Sequence, residues 1–154
     1  MFYEQLSDVL EESYKLISKV EETMVHSATR LNLTINEIHL LEAAARGGEN
    51  GIPVSDIAAI LSIAPPSVTV AVKKLEKKGY VTRERDEEDG RVVNVRLTPE
   101  GVRVNKVHRR FHRSMAIKIA QDFSEEEKQV FLCGLDKMNR FLKQKVEKLE
   151  DTSK

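Results

Sequence analysis

Residues 65–101 decide the fold, and they read PPSVTVAVKKLEKKGYVTRERDEEDGRVVNVRLTPEG. Proline is tolerated in the first turn of a helix and glycine is favoured just after the last turn, so Pro66 and Gly79 bound a predicted helix over 66–78. One side of that helix is apolar. The opposite side carries small, hydroxyl and lysine side chains, namely Ser67, Thr69, Val70, Lys73, Lys74 and Lys77.

A β-hairpin is predicted directly after this helix. The alternating residues 80–85 and 91–97 indicate two strands, and the polar segment 86–90 between them contains a glycine, as turns commonly do. Thr98 then precedes a proline and is predicted to cap a long helix that ends near Ala120. The deciding stretch is therefore a helix, a hairpin and the beginning of another helix.

Three more helices and a short strand are predicted before residue 65. Helical spacing of apolar residues indicates one long helix over 4–30. Thr34 and Glu37 have the spacing of a capping box, which predicts the start of a second helix. Residues 52–54 are predicted to pair as a minor strand, and a third, short helix begins near Ser55.

The fold class that follows is mainly α with a small β-hairpin wing, a winged helix-turn-helix with long terminal helices. We expect an N-terminal dimerisation helix over 1–33, a DNA-binding domain over 34–98 and C-terminal dimerisation helices over 99–154. The last helix is predicted to begin at the capping box of Ser124 and its third following residue, Glu127.

The charges of the chain are segregated although they cancel to a formal net charge of zero. Residues 1–22 are acidic, whereas 73–85 are mainly basic and 103–118 hold no acidic residue. A basic centre of this kind is typical of proteins that contact phosphate. Because the winged helix-turn-helix places one helix in the major groove and a wing near the minor groove, the sequence predicts binding to double-stranded DNA. The alternative is a winged-helix module that binds other proteins without specific DNA binding.

The cysteine content and the hydropathy favour a cytoplasmic protein. Cys133 is the only cysteine, so no disulfide forms within a chain, and we expect its side chain to be buried as a small apolar group. No apolar run is long enough to span a bilayer, and no signal segment opens the chain.

The segments 73–81, 85–86, 89–91 and 95–101 closely resemble the MarR family of transcriptional regulators. The resemblance implies a homodimer in which two recognition helices read a pseudo-palindromic operator, most often as a repressor modulated by a small effector. It also implies that Arg91 at the wing tip enters the minor groove and that Asp89 orients it. The recognition helix is the predicted helix over 66–78. Its implied DNA contacts are Pro66, Ser67, Thr69, Val70, Lys73, Lys74 and Lys77.

The apolar ends of the chain agree with such a dimer. The two ends of the chain carry more apolar surface than a small central domain can cover. The residues concerned are Phe2, Tyr3 and Leu6 near the start, and Phe131 and Phe141 in the last helix. These residues are expected to form a helical core between subunits.

Four residues form a candidate metal site, which would be the regulatory site of the protein: Glu21, His39, His108 and His112. The last two are four residues apart and share a helical face, so both can bind one ion. Three histidines and one carboxylate would close a tetrahedral zinc site without an open position. The same arrangement is similar to the zinc-sensing branch of the MarR family, although the second metal site and the polyhistidine context are missing here. No cofactor is required otherwise.

A second effector remains open beside zinc. Residues 108–115 and 123–127 are similar to the FabT-like repressors of fatty-acid synthesis, which implies a response to acyl chains on acyl carrier protein. That carrier is acidic, and the basic run 103–118 would suit it. An enzyme is not expected, because Arg109 stands where a His-Glu-x-x-His zinc hydrolase needs its glutamate.

Overall fold

The computed structural model describes residues 1–27, 32–86 and 89–152, and for residues 26 and 150–152 it describes the backbone alone. Its elements follow the predicted order. They are α1 (Phe2–Ser27), α2 (Ile35–Ala44), a 3₁₀ helix (Ala45–Asn50), β1 (Ile52–Pro53), α3 (Val54–Leu61), α4 (Pro65–Lys77), β2 (Val81–Arg85), β3 (Val93–Leu97), α5 (Pro99–Ala120) and α6 (Glu125–Thr152). This mainly helical chain with a small sheet confirms the predicted winged helix-turn-helix.

The chain divides into two compact units, and the division falls inside α5. Met1–Arg109 contains α1, the helix-turn-helix, the sheet and the first half of α5. Arg110–Lys154 contains the second half of α5 and α6.

The sheet of the first unit is antiparallel in the order β1-β3-β2. Val81 pairs with Leu97 in the hairpin, and Ile52 pairs with Val95 at the other edge of β3. The minor strand is thus present, although Val54 already belongs to α3. Because β1 directly precedes α3, the sheet fixes the wing to the helix-turn-helix.

The core of the first unit lies between the helix-turn-helix and the sheet. Its fully buried side chains include Leu41 of α2, Ile57 of α3 and Val95 of β3. On α4, the apolar side predicted from the sequence is the buried one, with Val68, Val72 and Leu75 at 0 % exposure. Burial of each such side chain is worth about 1.5–3 kcal/mol, so this face fixes which side of α4 points outward.

The boundaries of α3 and α4 differ from the sequence-based predictions by one residue, and those of α1 and α2 differ by more. Helix α1 begins at Phe2 and is described to Ser27, so the predicted residues 28–30 lie outside the described part. Helix α2 ends at Ala44, three residues before the glycine pair at which it was predicted to stop, and continues as the 3₁₀ helix. Within this 3₁₀ helix, Gly47 approaches the start of β1 so closely that a Cβ there would lie 2.6 Å from the Ile52 backbone nitrogen.

A clasp joins the start of α2 to the end of α4. The predicted capping box is present, with Thr34 N–H donating to Glu37 Oε2 (2.8 Å) and Glu37 N–H donating to Thr34 Oγ1 (3.3 Å). Lys78 Nζ donates to Glu37 Oε1 (2.8 Å) and to the Asn32 carbonyl oxygen (2.6 Å). Burial raises the pKa of Glu37, but the hydrogen bonds from Lys78 and Thr34 and the Lys78 charge outweigh it and lower the pKa below 4.5.

This clasp makes part of the stability depend on pH. A carboxyl whose pKa is lowered by folding stabilises the native state above its unfolded pKa, and the contribution disappears as pH falls through the folded value. We expect Glu37→Gln to cost about 1–3 kcal/mol of unfolding free energy at neutral pH, and much less at a pH low enough to protonate the carboxylate in the folded protein. Urea unfolding at both pH values measures the difference, with Glu49→Gln on the exposed 3₁₀ helix as the control. If Glu37→Gln lowered the unfolding free energy by the same amount at both pH values, the ionic role of Glu37 would be contradicted.

Candidate nucleic-acid interface and histidine cluster

Helices α3 and α4 meet at 110°, which is the crossing of a helix-turn-helix. The turn uses Ser62 in the left-handed region at φ 51°, and the Ile63 N–H donates to the Ala58 carbonyl oxygen (3.1 Å).

Each helix of the described residues, taken singly, is too short or too polar to span a membrane. Within the same described residues, the bent pair of α3 and α4 reaches the length and apolar composition of a membrane span only when the two helices are taken together.

The outward face of α4 carries the residues predicted to contact DNA. Six of them are exposed: Pro66, Ser67, Val70, Lys73, Lys74 and Lys77. Thr69 is half-buried, and its hydroxyl donates to the Pro65 carbonyl oxygen (3.0 Å). Since that donor is occupied within the helix, Thr69 can only accept a hydrogen bond from a base edge, whereas Ser67 can donate or accept.

Ion pairing divides the basic run 73–85 into two groups. Lys78 pairs with Glu37, and Arg83 pairs with Glu76 at 2.6 Å. In the part of the chain that the structure describes, the other four basic residues make no ion pair: Lys73, Lys74, Lys77 and Arg85. The charge that can reach phosphate therefore lies mainly on α4, with Arg85 on β2, which could not be seen by counting charges along the sequence.

The wing tip is organised by two aspartates. Asp89 Oδ1 accepts the Arg91 N–H (3.0 Å) and lies 3.4 Å from Arg91 Nε, while the Arg91 side chain is 95 % exposed. Asp86 accepts the Asp89 N–H and the Asn94 Nδ2–H, both at 3.1 Å. Asp89 thus lies where the sequence analysis expected an orienting partner. The supporting pair Asp86 and Asn94 was missed, because the two residues are eight positions apart and meet only in the folded hairpin.

A cleft of about 370 Å³ lies between the helix-turn-helix and the wing. Its lining combines apolar and polar side chains: Pro53, Val54, Ser55, Thr69, Val72, Arg83, Arg91, Val92 and Val93. Because these residues come from β1, α3, α4 and both arms of the hairpin, sequence periodicity could not reveal the cleft.

The first unit brings together three of the four predicted metal ligands. One ligand atom each of Glu21, His39 and His108 lies within 4.8 Å of the others. His39 Nε2 is 3.9 Å from Glu21 Oε1, and the rings of His39 and His108 have centroids 5.7 Å apart. His108 is 2 % exposed, so the cluster closes against the interior. Two imidazoles and a carboxylate are ligands that zinc accepts.

The fourth predicted ligand, His112, belongs to the second unit, where its ring packs edge-on against Phe111. Its coordination of the same ion stays a prediction. A neighbouring carboxylate was not anticipated from the sequence, because Glu42 Oε2 lies 3.7 Å from His108 Nδ1. The spacing of His39 and Glu42 on α2 was the signal that could have indicated it.

Each terminal helix exposes apolar side chains in the single chain. In α1, Phe2 and Tyr3 are 68 % and 82 % exposed, and Val130 and Phe141 of α6 are 73 % and 55 % exposed. Cys133 is also exposed, so the prediction that it is buried is wrong for the single chain. The reason is that its face of α6 is not covered by the residues of its own unit.

The fold and the exposed α4 define the class of winged helix-turn-helix proteins. The model of the MarR family matches residues 33–93. The chain is 28 % identical to the HTH-type transcriptional repressor MdtR of Bacillus subtilis, over 62 % of this chain and 61 % of that protein. It is 34 % identical to the uncharacterised HTH-type transcriptional regulator YfiV of the same organism, over 59 % of this chain and 57 % of that protein. The chain thus spans less than two thirds of the length of these curated relatives.

Solved structures extend the match over nearly the whole chain. Streptococcus pneumoniae FabT in complex with DNA superposes with a TM-score of 0.85 at 30 % identity, covering 92 % of this chain and 98 % of that one. The Staphylococcus aureus MepR–DNA complex shares the fold with a TM-score of 0.72 at 22 % identity, covering 88 % and 95 %. The chain belongs to the MarR family, which confirms the resemblance found in the sequence.

Proposed function

We propose that the chain is a transcriptional regulator that represses genes by binding double-stranded DNA as a homodimer in the cytoplasm, without catalysis. One observation carries this proposal. The outward face of α4 presents hydroxyls and lysines without ion pairs among the described residues, beside a wing whose Arg91 is 95 % exposed and held by Asp89.

The two surfaces suit different parts of a duplex. An exposed helix fits the major groove, where the hydroxyl of Ser67 reaches base edges and the lysines reach phosphates. A guanidinium such as that of Arg91 favours the strongly negative potential of a narrow minor groove. The relatives named as transcriptional regulators, and the FabT structure solved with DNA, support this use.

The exposed terminal helices support the homodimer. Apolar side chains that a single chain leaves in water, such as Phe2 of α1 and Phe141 of α6, are covered when two copies pair. A two-fold dimer sets two α4 helices about 34 Å apart, one turn of DNA, and therefore predicts a pseudo-palindromic operator. Light scattering after size exclusion tests the dimer, and a monomer at micromolar concentration would overturn it.

Fluorescence anisotropy tests the whole proposal, using DNA from upstream of the protein's own gene and a scrambled duplex of equal length. Selective binding to the upstream DNA supports a regulator. A winged-helix module that binds proteins would instead show weak, sequence-blind binding to both duplexes. A genome-wide selection of bound fragments then decides, because enrichment of no sequence would reject the regulator.

Two substitutions on α4 are expected to separate sequence reading from phosphate contact. We expect Ser67→Ala to narrow the preference for operator over scrambled DNA by about 1–3 kcal/mol, since Ser67 is exposed at the start of the helix. Lys77→Ala should weaken binding evenly to both duplexes and reduce the slope of log K against log salt by about one. Salt titrations with both duplexes measure these quantities, and indistinguishable variants would contradict this division of roles.

A second proposal concerns regulation by a metal ion. Glu21, His39 and His108 would hold zinc, and His112 would complete the set as predicted. When bound, the ion supplies a cross-link between α1, α2 and α5. The support is the convergence of three ligand atoms within 4.8 Å, from residues far apart in sequence. Because α2 packs on α3 and α4 through buried residues such as Leu41, ordering α2 would favour one placement of the recognition helix.

The rival effector is an acyl chain on acyl carrier protein, favoured by the sequence resemblance of residues 108–115. Anisotropy with operator DNA distinguishes the two candidate effectors. The binding is measured after addition of EDTA, of micromolar zinc, or of acyl carrier protein that bears a long acyl chain. A response to zinc alone supports the metal sensor. A response to the acylated carrier alone transfers the effector role to the acyl chain.

A further inference from the structure

We infer that Glu42 is a positioning residue for the metal site: its carboxylate holds the Nδ1–H of His108, so that His108 binds the ion through Nε2. The inference rests on the proposed metal site and adds a residue to it. Glu42 is not itself placed among the ligands.

The geometry starts from α2. His39 and Glu42 are three residues apart, so they lie on one face of the helix, and both reach α5. The His39 ring is tilted by 59° to the His108 ring, with centroids 5.7 Å apart, and Glu42 Oε2 lies 3.7 Å from His108 Nδ1. One short helix therefore provides a ligand and a carboxylate directed at a second ligand.

Burial makes the carboxylate important for His108. The ring is 2 % exposed and its Nδ1 atom is inaccessible to solvent, so a proton on that nitrogen needs a protein acceptor. The Glu42 side chain is 43 % exposed and has room to rotate the short distance from 3.7 Å to hydrogen-bond length.

The chemistry follows from the two tautomers of imidazole. A neutral ring carries one proton, and when a carboxylate accepts that proton's hydrogen bond at Nδ1, the lone pair for a metal is on Nε2. The same hydrogen bond fixes the orientation of the ring and makes it a stronger donor to the ion. Glu42 would act on the metal through His108, without touching it.

Zinc and cobalt titrations of the full-length protein test this role. Loss of an outer carboxylate of this kind lowers metal affinity by about 10- to 100-fold, which is what we expect for Glu42→Ala in competition with a chromophoric chelator. Glu42→Gln keeps an acceptor oxygen and should recover most of the affinity. Glu49→Ala, which removes an exposed glutamate from the same unit, should leave it unchanged. Thermal unfolding in EDTA establishes that each variant is folded before titration.

A second measurement needs no substitution. Long-range ¹H–¹⁵N NMR spectra of the zinc-loaded protein show which ring nitrogen of His108 is bound, and we expect Nε2 with a proton on Nδ1. Coordination through Nδ1, or Glu42→Ala binding zinc as tightly as the wild type, would overturn the role of Glu42 while leaving the metal site intact. A wild-type protein that binds neither zinc nor cobalt would overturn the metal site and this role together.

Discussion

Replacing Gly101 by alanine is expected to lower the unfolding free energy by about 2 kcal/mol or more. A Cβ at this position would lie 2.2 Å from the Tyr80 carbonyl oxygen, far inside van der Waals contact. Overpacking of this kind costs about 3 kcal/mol, and the better helix propensity of alanine returns only about 1 kcal/mol.

The backbone cannot relax cheaply, because the same point holds several hydrogen bonds. The Tyr80 carbonyl oxygen accepts the Thr98 N–H (3.0 Å), and the Thr98 hydroxyl donates to the Gly79 carbonyl oxygen (2.7 Å). Gly101 N–H in turn donates to Thr98 Oγ1 (3.2 Å). Moving α5 away from Tyr80 would stretch the two bonds from Thr98 to Tyr80 and Gly79.

Urea unfolding measures this loss against a matched glycine. Gly134 lies inside α6, where a Cβ would meet nothing within 4 Å, so Gly134→Ala should be neutral or stabilising by up to about 1 kcal/mol. If Gly101→Ala were as stable as Gly134→Ala, the close approach of α5 to Tyr80 would be wrong.

The second large effect is expected on DNA binding. Arg91→Ala should weaken operator binding by about 10- to 100-fold, corresponding to 1–3 kcal/mol for one lost groove contact. Because the side chain is 95 % exposed, the fold and the thermal stability should not change. Asp89→Ala should weaken operator binding less than Arg91→Ala does. It removes the carboxylate that positions Arg91 but leaves the guanidinium in place.

Anisotropy at two or more salt concentrations measures the effect of Arg91→Ala. Arg46→Ala is the matched control, because Arg46 is an exposed arginine on the 3₁₀ helix. Equal affinities of the two variants would remove the wing from the interface and favour the protein-binding alternative.

Much of the fold could be predicted from the sequence, because its start and stop signals are local. Thr34, Thr98 and Ser124 cap helices through bonds to residues three positions away, as their spacing indicated. The glycine after α4 and the alternating strands also depend only on neighbouring residues. Family membership followed from short segments whose spacing is fixed by the hairpin.

Pairings across the fold could not be predicted in the same way. Lys78 reaches Glu37 over 41 positions, and nothing in either segment marks them as partners. The 3₁₀ helix after α2 brings Gly47 close to Ile52, a contact that no local signal indicated. For the metal site, residue types and the His-x-x-x-His spacing suggested ligands, but only the packing of α1, α2 and α5 shows which of them converge.

Hydrogen bonds join the residues after α4 to the start of α5, through Gly79, Tyr80, Thr98 and Gly101. We call this joint the pivot, because α5 can tilt about it. His108 lies seven residues beyond Gly101, about 10 Å along α5, so a shift of 1 Å at His108 tilts this lever by roughly 5°. We expect such a tilt to change the direction of α4 while leaving its exposed side chains in place. In the proposed dimer, two such rotations would change the distance between the two α4 helices, and we expect operator affinity to fall because that distance would no longer match one turn of DNA.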